Sequence, residues 1–178
     1  MKTYVCLLRG INVSGHNKIK MEELHKMYES LGFSNVETYI QSGNVIFACA
    51  EENVQALTKK IEKRIQQLFG LKVLVFMRTK EQFRHIATNN PFLHQQRDKI
   101  HVMFLSETPQ DVLFAEIEKV KDRGEEFFIL GTEVYLYCPN GYGRTKLSNN
   151  FFERKLKVPA TTRNWKTITT LWTMISSR

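Results

Sequence analysis

Apolar positions recur along this chain with two different periods, and the alternation between them lays out the elements. Thr3 to Leu8 is almost continuously apolar, the pattern of a buried strand, and a polar loop follows through Asn17. Met21, Leu24, Met27, Tyr28 and Leu31 are then spaced as one helix face, which Gly32 stops. Val36, Thr38 and Ile40 alternate with Glu37, Tyr39 and Gln41 as a strand. Ser42-Gly43 supplies a turn, and Asn44 to Ala48 returns as the second arm of a hairpin. Glu51-Glu52-Asn53 opens a helix to about Phe69, with Val54, Leu57, Ile61, Ile65 and Leu68 on one face. Gly70 ends it, and Leu71 to Met77 reads as a strand. The order β-α-β-β-α-β is that of a ferredoxin-like, split β-α-β unit.

The order then recurs. After a connecting helix from about Lys80 to Asn89, closed before Pro91, Ile100 to Leu105 reads as a strand and Pro109 to Lys121 as a helix with proline in its first turn. Glu126–Leu130 and Glu133–Tyr137 form a hairpin across Gly131-Thr132. Two helices are expected to finish the chain: one within Thr145–Lys157, halted by Pro159, and one from about Asn164 to Ser176 capped by Thr161 or Thr162. The expected fold class is α+β: two ferredoxin-like halves, residues 1–79 and 80–178, with antiparallel sheets and helices packed on them.

Composition adds that the chain can support a core. Among 178 residues, 42% are hydrophobic and 25% charged, an ordinary globular balance. No stretch approaches the ~20 apolar residues of a membrane span, so no membrane partner is expected. Cys6, Cys49 and Cys138 are an odd number at wide spacings, which argues against a disulfide framework or zinc ribbon and favours the cytoplasm. The charge is uneven. From Arg144 onward eight basic residues face a single acid, Glu153, a net of +7, while the preceding 143 residues carry only +1 of the total +8. An anionic partner would be drawn to that end.

Topology indicates where chemistry would gather. A right-handed crossover makes the second strand parallel to the first, so the first loop and the hairpin turn share one sheet edge. Arg9, Asn12 and the glycines of the loop, with Ser42 and Asn44 of the turn, give that edge a guanidinium, amides, hydroxyls and backbone N–H groups suited to a phosphate or carboxylate. The same Asn, Ser and Gly residues also serve ordinary loop backbone. A second cluster, Cys138 to Lys146, sets Arg144 and Lys146 after a glycine-broken turn without Walker spacing. In a third, Arg163 and Asn164 stand near the start of the last helix, whose Trp165, Ile168, Trp172 and Ile175 read as a core face. No metal or other cofactor is expected: the histidines lack ligand spacing, and the only aspartates are Asp98, Asp111 and Asp122. Ser42, His16 and Glu37 share no nucleophile-elbow signature.

Leu7-Leu8-Arg9-Gly10-Ile11-Asn12-Val13, the run from Val36 to Val45 that includes Gln41-Ser42-Gly43-Asn44, and Thr162-Arg163-Asn164-Trp165 resemble the bacterial family called domain of unknown function 1697. The resemblance implies a pair of ferredoxin-like subdomains and carries no catalytic residue. Ser14 stands where the family pattern has a glycine. Three functions stay open on the sequence: a cytoplasmic binder of an anionic small molecule, nucleotide or nucleic acid; an enzyme acting on a phosphorylated or carboxylated substrate; and an interaction module without a ligand. Oligomeric state is not readable.

Overall fold

The protein is described from a computed structural model covering residues 1–110 and 113–177. The chain divides into two compact units, Met1–Ile86 with the residues from Leu171 on, and Ala87–Thr170.

In the first unit β1 (Lys2–Leu8), α1 (Met21–Ser30), β2 (Ser34–Tyr39), β3 (Asn44–Cys49), α2 (Val54–Phe69) and β4 (Val75–Thr79) follow the order read from the pattern. The strands form one sheet in the order β2-β3-β1-β4 with antiparallel neighbours, two split β-α-β units interleaved. Tyr4, Cys6 and Leu8 alternate onto the helix side. There they join Leu24, Met27 and Tyr28 of α1 and Leu57, Ile61 and Ile65 of α2 in one core. Asn53 caps α2 by accepting the Ala56 N–H, and Gly70 closes it at φ +68, where a left-handed residue suits glycine. The β2–β3 connection is longer than the two-residue turn expected. Strand pairing ends at Tyr39↔Asn44, and the loop runs Ile40–Gly43 because Ile40 itself turns left-handed at φ +49. α3 (Lys80–Thr88) follows β4 directly.

The second unit repeats the first. β5 (Ile100–Leu105), α4 (Phe114–Val120), β6 (Glu126–Leu130), β7 (Glu133–Tyr137), α5 (Asn149–Leu156) and β8 (Ala160–Asn164) give the sheet order β6-β7-β5-β8, again antiparallel throughout. Its core joins Met103, Leu105, Val134 and Leu136 to Phe151, Phe152 and Leu156 of α5.

Two expectations are corrected here. The helix read from Pro109 to Lys121 begins at Phe114; Pro109 lies outside it, and residues 111 and 112 of that span lie outside the described residues. Thr161 and Thr162 do not cap a helix: they belong to β8, the sixth element of the second unit, which the pattern did not disclose. The cap is Asn164, whose Oδ1 accepts the Thr167 N–H at 2.9 Å as α6 (Trp165–Ser176) begins. Among the described residues no helix is long and apolar enough to cross a membrane.

Candidate functional site

The loop from Arg9 to Lys20 leaves β1 at the edge where the β2–β3 turn returns, as topology required. The Leu8 N–H donates to the Gly43 carbonyl at 2.8 Å, and the Arg9 N–H donates to Leu74 O at 3.0 Å. Gly43 sits against the loop so closely that a Cβ there would fall 2.6 Å from Ile11 Cδ1. Asn12 joins the two segments. Its Nδ2 donates to Ile19 O and to Gln41 O, and its Oδ1 accepts the Ile19 N–H, all at 2.9 Å. Asn44, fully buried, donates from Nδ2 to Tyr39 O and to Ser42 Oγ. Arg9, Asn12, Ser42 and Asn44 are therefore brought to one neighbourhood, and there the two asparagine amides spend their hydrogen bonds on the backbone and on the Ser42 hydroxyl.

Beyond Asn12 the loop folds into a finger. The Asn12 N–H donates to Asn17 O, the His16 N–H donates to Val13 O, and Asn17 Nδ2 donates to Gly10 O. Ser14 and Gly15 form its tip with φ +48 and +79. Gly10, Asn12, Ser14, Gly15 and Asn17 all have left-handed backbone, and so does the β-branched Ile40 opposite, a costly conformation for that residue. Val13, His16, Asn17 and Lys18 are exposed and Arg9 is half-buried. From Arg9 to Lys20 the segment carries Arg9, Lys18, Lys20 and His16 and no acid. The N-terminus of α1 is a poorer anion seat than expected, since Glu22 and Glu23 occupy its first turn and Glu23 lies 3.9 Å from the Lys20 ammonium.

The second unit disperses the other candidates. Arg144 is exposed on a 3-10 turn entered through Gly141 at φ +90, and Lys146 pairs with Asp122 at 3.7 Å. Lys155 is likewise paired to Glu116, so the basic excess near the C-terminus is partly met by acids from earlier in the chain. Arg163 does stand two residues before α6, but it is buried in β8: its Nη1 donates to Thr161 Oγ1 at 2.9 Å and to Thr162 O at 3.0 Å. Asn164 is the α6 cap.

A polar chain that the pattern did not disclose ties the same region together. The Tyr142 hydroxyl lies 3.1 Å from Thr162 Oγ1, Thr162 Oγ1 donates to Asn149 Oδ1 at 2.5 Å, and His101 stacks on the Tyr142 ring at 4.7 Å. Burial raises the Tyr142 phenol and lowers His101, so both stay neutral at pH 7. The only sequence signal for the chain was the tyrosine inside the glycine-broken turn. All three cysteines are free and buried; burial pushes Cys138 up to about 11 and raises Cys49, so neither offers a thiolate. Among the described residues no group of three or more His, Cys, Asp or Glu side chains is placed to hold a metal ion.

Two repeated α+β units define the architecture, and comparison with known proteins places the chain in a class. Residues 1–135 match the family described as "Protein of unknown function (DUF1697)", and the chain belongs to that family. A solved structure titled "The structure of conserved bacterial protein SP0830 from Streptococcus pneumoniae" is similar over 97% of this chain and 98% of that one, with a TM-score of 0.72 and 23% identity. At that identity the likeness establishes the fold alone. No curated protein matches the chain.

Proposed function

We propose that the protein binds an anionic ligand bearing phosphate or carboxylate groups, at the edge of the first ferredoxin-like unit where the Arg9–Lys20 loop meets the Ile40–Gly43 turn. The observation that carries this reading is a basic finger without an acid, held in a fixed and conformationally costly shape by Asn12 and Asn17. A strand-to-helix connection needs only ~2–6 residues and no left-handed backbone. Strain of this kind is retained where it prepares a surface for a partner, and a preset cationic surface binds without the cost of ordering itself. In this reading Asn12 and Asn44 position the site, while Arg9, His16 and Lys18 meet the anion. A cytoplasmic setting fits the three free, buried thiols.

The test is a thermal-shift titration of the whole chain with inorganic phosphate, pyrophosphate, AMP and a single-stranded oligonucleotide, repeated on Arg9→Ala and Lys18→Ala. A true ligand at 100 times its dissociation constant stabilises by about 2.7 kcal/mol. Both variants should lose that shift, and Lys18→Ala, whose side chain is exposed, should keep the unliganded melting temperature. For the oligonucleotide, affinity should fall with salt at a log–log slope near −0.7 per phosphate neutralised. No shift in the wild-type protein across the panel would end the proposal.

A further inference from the structure

The repeat supplies an internal comparison that singles out β6. The strands β2 and β6 hold equivalent places, each at the outer edge of its sheet. A sheet edge presents unpaired backbone groups, and proteins that leave an edge solvent-facing blunt it with bulges and polar side chains. β2 is blunted in this way: its pairing with β3 shifts register between Ser34 and Glu37, Asn35 turns left-handed at φ +51, and Val36 is its only buried residue. β6 has none of these devices. Its five residues pair with β7 without a break, from Glu126↔Tyr137 to Leu130↔Glu133. Four of them are apolar, and Phe128 and Leu130 are exposed by 48% and 44%. Beside the strand, Phe114 is 52% exposed and stacks on Phe127 with ring centroids 6.3 Å apart.

We propose that β6 is a dimerisation strand, pairing antiparallel with β6 of a second copy of this chain about a two-fold axis at Phe128. Backbone geometry selects that register. The closing pair of a two-residue hairpin exchanges hydrogen bonds, so Leu130, Phe128 and Glu126 turn their N–H and C=O groups toward β7. Phe127 and Ile129 turn theirs to the open edge. Two such edges set antiparallel with Phe128 opposite Phe128 bring Phe127 of one strand opposite Ile129 of the other, twice, and each pair can exchange both of its hydrogen bonds. The side chains fit the same arrangement. Phe127 and Ile129, half-buried on the helix side, meet their counterparts with Phe114 flanking, and the exposed faces bring Phe128 against Phe128.

Charge selects the antiparallel alignment of that second copy. Glu126 is the only charged residue of β6, and it falls opposite Leu130, ~13 Å along the strand from the other Glu126. A parallel alignment would stack the two carboxylates. An isologous contact of this kind closes on itself, joining the two four-stranded sheets into one and leaving no apolar edge to recruit a third copy.

Sedimentation equilibrium of the full chain tests the proposal, with the wild type and Phe128→Lys and Phe128→Glu variants. The wild type should sediment at twice its 20.9 kDa. Each variant alone sets like charges against each other across the axis and should sediment as a monomer with an unchanged circular dichroism spectrum. An equimolar mixture of the two should recover the dimer, which also shows that both variants fold. A wild type that stays at 20.9 kDa at concentrations on the order of 100 μM, the range in which a small interface still associates, would overturn the proposal. So would single variants that remain dimeric, or a mixture that fails to associate.

Discussion

Arg78 and Arg163 occupy one position of a repeated unit: Arg78 lies opposite Val5 in the β1–β4 ladder, and Arg163 lies opposite Val102 in the β5–β8 ladder. The equivalence runs along the strands, since Leu8↔Val75 and Leu105↔Ala160 are the matching pairs three residues away. Each arginine is buried, each donates to the carbonyl of the residue before it, and each is followed within two residues by a helix. A buried guanidinium is kept only where its donors are met. The pair therefore belongs to the framework that turns the last strand of each unit into a helix.

Arg163→Ala should accordingly lower stability by roughly 2–3 kcal/mol, because acceptors on Thr161 and Thr162 lose a charged donor inside the protein. Urea denaturation checks this. Arg163→Ala should leave anion binding at the first unit's loop intact once measured below the melting transition.

Asn12→Ala removes three hydrogen bonds that join the loop, Ile19 and the β2–β3 turn. A loss of about 1–3 kcal/mol is expected, with faster amide exchange from residue 10 to residue 20 and weaker anion binding than the stability loss alone explains. Hydrogen exchange followed by mass spectrometry reads the loop directly.

The first unit's architecture was legible because its pattern is strong. Leu24, Met27 and Tyr28 mark a helix face, Gly70 a stop and Asn53 a start, and all held. β8 was hidden because a buried strand normally shows itself by apolar residues, and Ala160-Thr161-Thr162-Arg163-Asn164 has a single small one. Its burial comes from short threonines and a hydrogen-bonded arginine. Two clues existed: paired β-branched residues just after Pro159, and an element order that lacked its sixth element, a strand. The meeting of the Arg9 loop with the Ser42–Asn44 turn followed from the chirality of the crossover. What the amides of Asn12 and Asn44 do there depends on left-handed backbone at Asn12, Ser14 and Ile40, which no periodicity announces.

Gly43 and Gly131 separate packing from conformational cost. Both have positive φ, +79 and +58. A Cβ on Gly43 would lie 2.9 Å from Leu8 Cβ and closer still to Ile11, whereas nothing lies within 4 Å at Gly131. Gly131→Ala should cost about 1 kcal/mol from the backbone alone. Gly43→Ala should cost a further 1–3 kcal/mol, roughly, from overlap that Leu8 and Ile11 cannot relieve without moving β1. Paired thermal melts give the difference.

Stability should fall at alkaline pH. Cys138 rises from 9.0 in the unfolded chain to about 11 in the folded one through burial and the nearby Glu125, and burial raises Tyr28 and Tyr142 as well. Since the folded state binds the Cys138 proton more tightly, the stability it contributes is complete below pH 9 and is lost as pH rises from 9 through about 11, and the two tyrosines extend the fall above pH 10. Cys138→Ala should flatten that limb of the pH–stability curve. In the native protein at pH 8, 5,5′-dithiobis(2-nitrobenzoate) should titrate the buried thiols only slowly, and all three promptly after denaturation.

The central claim is that the finger and the turn form one anion-binding surface. Amide chemical-shift mapping of the whole chain during a pyrophosphate titration examines it most directly. The account predicts saturable shifts confined to residues 9–20 and 40–44, lost in Lys18→Ala. Saturable shifts centred elsewhere, on residues 144–157 for example, or no saturable shifts at all, would contradict it.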